Sequence, residues 1–290
     1  MLNYPQLSAA EQASLPKQIA EPIAMPNKFA DSTHALWRCQ TSEGEMVLKV
    51  CNVATVAKSS FWLGLNHLFD VNFPKNLENI HLTHDFLIQS GTLEVPELIA
   101  AKANQFVFTR FLAGVDLDAN AVDEQWVIAL AKHIAKLHQC RYKNWGSLHA
   151  PQFSAHDWPA RLQHTLAFLL QQNKVENTAQ IQAILTQANN IKETDFVPMM
   201  LDLRWDQLRN LENKSLALID LDAFVIGPKN LDLVLLRYVL TPAQLVLFKQ
   251  EYCQTHAWPD DAAQTPCYQL LLFLMNVLGE TDLAKWMKQI

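Results

Sequence analysis

Asp195-Phe-Val-Pro-Met-Met-Leu-Asp202-Leu-Arg-Trp-Asp206-Gln207-Leu-Arg-Asn210, followed shortly by Ser215-Leu-Ala-Leu-Ile-Asp220-Leu-Asp222-Ala-Phe-Val-Ile-Gly-Pro-Lys-Asn-Leu-Asp232, decides the reading of this chain. Two apolar runs each end in acids. The first delivers Asp202, with Asp206 and Gln207 close behind; the second, Leu216 to Ile219, delivers Asp220 and Asp222. A hairpin joining the runs through the polar segment Asn210 to Ser215 would gather Asp202, Gln207 and Asp220 at one end of the fold. Oxygen ligands of this kind suit Mg²⁺, which takes one or two carboxylates and completes its shell with phosphate oxygens and water. A further carboxylate beside such a site can orient a hydroxyl nucleophile.

With these residues in place, the stretch resembles the aminoglycoside phosphotransferase and choline kinase-like branch of the protein-kinase fold. That family carries a His-x-Asp-x-x-x-x-Asn loop and, fifteen to twenty residues on, a strand ending in Ile-Asp. The resemblance implies a catalytic role for Asp202, metal binding by Gln207 and Asp220, and a structural role for Asp232 in the next helix. Asp220 follows Asp202 by 18 positions. Two positions depart from the pattern. Met200 stands where the family has histidine, and Gln207 keeps an amide ligand but moves it outward by a methylene.

At 290 residues with half of them hydrophobic, the chain is long enough for a substantial core. A formal net charge of -6 and no Lys/Arg block argue against a nucleic-acid partner held by phosphate contacts. Residues 1–30 are broken by Pro5, Pro16, Pro22 and Pro26 and do not read as a secretion signal. Cys39, Cys51, Cys140, Cys253 and Cys267 are widely spaced with no Cys-x-x-Cys pair, so free thiols and a cytoplasmic location are expected. The longest apolar run, Leu270 to Leu278, is too short for a membrane span and reads as a buried helix.

Along the chain, His34 to Gln40 and Glu45 to Cys51 read as a hairpin turning at Ser42-Glu43-Gly44. Lys49 lies near the end of its second strand. The resemblance makes Lys49 the lysine that holds the nucleotide's α- and β-phosphates and pairs with a glutamate from the next long helix; the plain alternative is a lysine on a strand edge. A helix over 76–90, with Glu78, Leu82 and Phe86 on one face, offers Glu78 as that partner. A solvated glutamate at a helix start fits equally well. The segment Pro26 to Leu36, where the family has a glycine loop over the phosphates, contains no glycine. Lys28, Ser32 and Thr33 are either substitute side-chain donors or parts of a solvated turn.

Strands are expected at Val95 to Ile99 and Gln105 to Leu112. The resemblance makes the second the hinge, with the backbone of Thr109 to Phe111 at the adenine edge. Past Gly114 the pattern turns helical: Asp123 to Leu137, Trp158 to Leu170, Thr178 to Ile191, and four further segments beyond Asp232. His138 reads as a core histidine. Asp206 is left between pairing with Arg204 or Arg209 and joining the metal site, and Asp222 between metal binding and a structural hydrogen bond.

Strands first and helices after give an α+β, two-lobed protein-kinase-like fold, with a small β-rich lobe at 1–112 and a larger helical lobe at 113–290. The function expected is an ATP- and Mg²⁺-dependent phosphotransferase acting on a hydroxyl-bearing small molecule or, less readily, a protein. Nucleic acid and membrane are not expected partners. The alternative is a catalytically inactive nucleotide-binding or scaffold module.

Overall fold

The computed structural model describes residues 2–26, 32–260 and 262–290. The N-terminal part comprises α1 (Ala9–Gln12), β1 (Ile23–Met25), β2 (His34–Thr41), β3 (Gly44–Cys51), α2 (Val53–Val56), α3 (Ser60–Phe69), α4 (Ile80–Ser90), β4 (Leu98–Lys102) and β5 (Phe106–Arg110). Its strands form one antiparallel sheet in the order β1-β2-β3-β5-β4. The expected hairpin is present, with Leu36 opposite Lys49. Alternation along the strands divides their side chains between two faces. Met46, Leu48, Val50, Phe106 and Phe108 join Tyr4 and Leu15 in a small separate core. Val47, Lys49, Val107 and Thr109 line a cavity on the other face.

The remaining elements are β6 (Gly114–Asp116), α5 (Glu124–Leu137), β7 (Asn144–Ser147), β8 (Ala150–Ser154), α6 (Trp158–Asn173), α7 (Ala179–Ala188), β9 (Phe196–Met200), β10 (Leu208–Leu211), β11 (Leu216–Leu218), β12 (Phe224–Pro228), α8 (Lys229–Val239), α9 (Pro242–Tyr252), α10 (Thr265–Leu274) and α11 (Leu283–Trp286). Two small sheets, β11-β10-β6 and β8-β7-β12-β9, lie among these helices. The first requires a close backbone approach. A Cβ at Gly114 would stand 2.3 Å from the Asn210 carbonyl oxygen, so only glycine fits there.

Three expectations are corrected. The two apolar runs do not pair with each other: β10 and β11 make the hairpin, while Phe196–Met200 pairs along its length with Phe224–Pro228. Both strands of that second pair are buried at every residue, so each is best satisfied by an equally apolar partner. The helix over 76–90 begins only at Ile80, after a 3-10 turn at Lys75–Asn79. Its buried face is Ile80, Thr83, His84 and Leu87, an i, i+3, i+4, i+7 stripe that leaves Leu82 exposed. The region past Gly114 also holds strands the pattern did not reveal, namely β6, β7, β8 and β12. They are short, and Gly114, Gly146, Pro151, Gly227 and Pro228 interrupt their alternation.

Helix α3 belongs by sequence to the strand-rich part but packs on α6 and α10. Arg161 donates from Nη2 to the His67 carbonyl at 2.6 Å and from Nε to that of Leu68 at 3.0 Å. Ser60 Oγ donates to Asn173 Oδ1 at 2.6 Å, and Asn173 Nδ2 donates to the Leu274 carbonyl at 2.6 Å.

The helices are tied together around Asp232, which is fully buried in the first turn of α8. Its Oδ2 accepts from His138 Nε2 at 2.9 Å, and His138 Nδ1 lies 2.8 Å from the Tyr252 hydroxyl. Carboxylate, imidazole and phenol thereby link α8, the end of α5 and α9. His138 is thus the core histidine expected, and Asp232 has the structural place the resemblance implied. Removing one partner leaves a desolvated polar group behind. Asp232→Ala is therefore expected to lower unfolding free energy by about 3 kcal/mol. Urea melts check this, and a loss below about 1 kcal/mol would show that the network contributes little.

Candidate active site

A cavity of about 490 Å³ lies between the inner face of the five-stranded sheet and the β9–β12 region. Three stretches converge on it: Lys49 from β3, Asp202 to Gln207 from the loop after β9, and Ile219 to Ala223 from the segment after β11. Lys49 sits on a central strand, between Leu36 and Val107 in the ladders, which excludes the strand-edge alternative.

Lys49 Nζ reaches Asp220 Oδ1 at 2.7 Å and Asp222 Oδ2 at 2.6 Å. Burial alone would push this ammonium down, but the two carboxylates outweigh it and hold Lys49 above its ordinary value. Burial likewise opposes ionisation of Asp220, yet Lys49 prevails and the carboxyl is lowered. For Asp222 burial wins, and its carboxyl is raised.

Asp202 is held from two sides. Arg204 Nη1 lies 2.9 Å from its Oδ1, and Gln207 Nε2 donates to its Oδ2 at 3.3 Å. Arg204 Nε also reaches Asp206 Oδ1 at 3.1 Å, so Asp206 takes the Arg204 pairing. Burial raises the Asp202 carboxyl to about 7, an effect that Arg204 offsets only in part and nearby Asp220 increases. Met200, at the position where histidine was missed, is buried in β9 and packs the core.

The structure thus brings together Lys49, Asp202, Gln207, Asp220 and, on the cavity wall, Thr109. It does not bring Glu78 or Phe111. Glu78 lies exposed on the 3-10 turn, a consequence of the late start of α4, and Lys49 takes the aspartates instead. The helix presents His84 to the cavity, with Nδ1 2.9 Å from the Pro96 carbonyl. Phe111 extends the ladder: its N–H donates to the Glu45 carbonyl at 2.9 Å, and its ring carries the Arg38 and Arg209 guanidiniums. Leu112, one residue on, lines the cavity in its place.

Of the glycine-free segment, Asn27, Lys28 and Asp31 lie outside the described residues. Ser32 Oγ donates to the His34 carbonyl at 3.0 Å, and Thr33 Oγ1 accepts from Trp62 Nε1 at 3.2 Å. These hydroxyls shape the segment. His34, buried at the start of β2, has Nε2 3.6 Å from Asp222 Oδ2. Burial and then the Lys49 charge push this histidine well below its ordinary range, so it is neutral. Sequence reasoning gave no site role to His34 or to Asp116, whose carboxylate pairs with Arg209 at 2.6 Å, and took Arg204 only as a partner for Asp206 and not for Asp202. Arg204, two residues after Asp202, was the one with a usable cue.

No protein-family profile matches the sequence, and no curated protein does. Solved structures do. A fructosamine-3-kinase described as putative, from Haemophilus somnus 129PT, aligns over 97% of this chain and 93% of its own, with a TM-score of 0.61 at 12% identity. A macrolide 2'-phosphotransferase from Brachybacterium faecium aligns over 96% and 94%, with a TM-score of 0.57 at 13% identity. A choline kinase from Cryptosporidium parvum Iowa II aligns over 92% and 85%, with a TM-score of 0.53 at 12% identity. The chain therefore has the α+β, two-lobed protein-kinase-like fold that the sequence resemblance implied.

A carboxyl whose pKa is raised by the fold costs stability once it ionises. In the unfolded chain an aspartate ionises near pH 3.9, whereas folded Asp202 does so near 7. The penalty grows through that window and is constant above it. Asp202→Asn should raise the melting temperature of the ligand-free protein, with a gain that increases from pH 4 to 7 and then levels. A gain independent of pH would refute the raised carboxyl.

Proposed function

We propose that this chain is a divergent phosphotransferase of the aminoglycoside phosphotransferase and choline kinase-like group. It transfers the γ-phosphoryl group of ATP to a hydroxyl of a small molecule in the cytoplasm, with residues 1–112 as the nucleotide lobe and 113–290 as the helical lobe. The observation that carries this reading is the convergence of Lys49, Asp220 and Asp222 beside Asp202 within one interlobe cavity.

The donors fit a hard cation. Asp220 and Asp222 already direct oxygens at one positive centre, the Lys49 ammonium, and Gln207 offers an amide oxygen on the same wall. Among the described residues no three acidic, histidine or cysteine side chains form a closed cage. Mg²⁺ does not need one, because phosphate oxygens and water complete its shell. Asp220 and Gln207 would hold it, and when bound it neutralises charge on the β- and γ-phosphates.

In the reaction the bond between the γ-phosphorus and the bridging oxygen to the β-phosphate breaks, and ADP keeps that oxygen. A new bond forms to the acceptor oxygen, whose proton passes to Asp202. A carboxyl near pKa 7 is well matched to taking a proton at neutral pH. Arg204 and Gln207 supply the support that the absent histidine would give, fixing the Asp202 carboxylate from both oxygens. Lys49 exchanges its aspartate partners for the nucleotide's phosphates, and Thr109 and Leu112 border the adenine slot.

Asp202→Asn is expected to reduce phosphoryl transfer by about 10²–10⁴-fold while leaving Mg²⁺-ATP affinity within a few-fold of wild type. Transfer is read by ADP release and affinity by calorimetry. Equal loss of both, or unchanged turnover, would remove Asp202 from its role. If wild type binds Mg²⁺-ATP but transfers phosphate to no alcohol, the inactive-module reading gains.

Gln207→Ala should weaken Mg²⁺-ATP more than metal-free ATP, and Asp220→Ala more severely, because it removes a charge. Gln207→Asn should stay within about tenfold of wild type, or about 1.4 kcal/mol. Titrations with and without Mg²⁺ decide this. Were Gln207→Ala indistinguishable from wild type in both, Gln207 would be no metal ligand.

A further inference from the structure

His34 is 8% exposed at the start of β2. It precedes Leu36 by two positions, so both side chains turn to the face of the sheet that lines the cavity with Lys49. Its place is fixed from several directions. Ser32 Oγ donates to the His34 carbonyl at 3.0 Å, the Phe73 ring stands edge-on to the imidazole at 5.8 Å, and Thr33 Oγ1 lies 3.1 Å from Nδ1. The Trp62 indole N–H can only donate, so Thr33 Oγ1 accepts from it at 3.2 Å and has its own proton to give. Donated to His34 Nδ1, that proton leaves the single N–H of the neutral ring on Nε2.

Nε2 is buried and has no hydrogen-bond partner. Asp222 Oδ2 stands 3.6 Å away, beyond hydrogen-bond reach. The structural histidine of this chain looks different: both nitrogens of His138 are engaged, by Asp232 and Tyr252. His133 Nε2 is also unpartnered, but His133 does not line the cavity. A buried donor left unpaired is destabilising, and the one on His34 belongs to a cavity wall.

The same Asp222 oxygen is 2.6 Å from Lys49 Nζ. Ammonium and imidazole are therefore directed at one anionic oxygen, and a phosphoryl oxygen that takes its place at Lys49 lies within reach of both. The segment from Pro26 to Leu36 has no glycine to let backbone N–H groups approach a phosphate freely, which puts the weight on side-chain donors. We propose that His34 is a phosphate ligand, whose Nε2–H binds, together with the Lys49 ammonium, a phosphoryl oxygen of the nucleotide. This assignment rests on the phosphotransferase reading for the identity of the ligand, while the chemistry it names is that of a polyphosphate.

The test uses the full chain and two probes, the Mg²⁺ complexes of β,γ-imido-ATP and of tripolyphosphate, which has no nucleoside. In wild type each should shift the His34 Nε2 resonance in long-range ¹H–¹⁵N spectra, where that resonance is assigned by its absence from His34→Gln. His34→Leu removes the donor and should weaken both probes by about tenfold or more in calorimetric titrations, or about 1.4 kcal/mol. His34→Gln, whose amide nitrogen can still donate, should recover most of the loss. Adenosine, which has no phosphate, should bind wild type and His34→Leu alike. Should tripolyphosphate binding depend on His34 in this way while no alcohol receives phosphate from ATP, the assignment stands and the phosphotransferase reading falls. Should ATP-dependent transfer proceed and His34→Leu bind both probes as wild type does, the reading stands and the assignment falls. An Nε2 resonance in wild type that neither probe moves, or a loss of adenosine binding equal to that of tripolyphosphate, likewise overturns the assignment.

Discussion

The contact on which the rest of the site depends is the one between Lys49 and the paired aspartates 220 and 222. It joins residues 171 positions apart, one on the central strand of the N-terminal sheet and the others just past the β10–β11 hairpin. None of the three charges is well hydrated: side-chain exposure is 15% for Lys49, 26% for Asp220 and 5% for Asp222. Ions so placed must be paired, and loss of one strands the others. The arrangement therefore fixes the sheet's inner face against the segment that follows β11. It also sets one ammonium against two carboxylates, so the charges of the cluster do not cancel within it.

Much of this was legible before the structure. The acids at the ends of apolar runs, the lysine inside Met46-Val-Leu-Lys49-Val50 and the hairpin turn at Gly44 all rest on local patterns, and local patterns survive folding. The failures came where a side chain's place depends on a distant partner. Glu78 is at helical spacing from Leu82 and Phe86, but the turn at Lys75–Asn79 consumes the residues that would have begun the helix. The register then rotates, so that His84 rather than a glutamate reaches the cavity. Phe111 was named because the resemblance makes its strand the hinge, whereas its N–H is spent on the Glu45 carbonyl and Leu112 lines the cavity instead. Strand pairing between β9 and β12 was equally hidden, since a fully buried strand has no alternation from which to read its neighbour.

The departures from the resembled motif look less damaging once their surroundings are known. In the resembled motif a histidine precedes the aspartate and supports the loop. Here Met200 instead fills core volume, and the orienting task passes to Arg204 and Gln207, which sit in the loop itself. Such a change keeps the carboxylate fixed but alters its electrostatics, because a guanidinium favours the ionised form while burial disfavours it. The balance near neutrality follows from those two opposed effects, with no single residue deciding it.

The glycine-free segment before β2 poses the same problem in a different form. A glycine loop closes on phosphates because its backbone has no side chains in the way. In this chain the end of that segment is set by hydrogen bonds: Ser32 to the His34 carbonyl, Trp62 to Thr33, and the Asn52 N–H to the Thr33 carbonyl at 2.8 Å. Ser32 and Thr33, held in this way, give up conformational freedom before any ligand arrives, so less ordering of these two residues remains to oppose binding. The anchor is Trp62, which stacks on Phe73 at 3.5 Å and rides on α3, the helix that packs against the C-terminal helices. Ser32 and Thr33 are consequently referenced to the helices on which α3 packs as well as to the sheet that follows them.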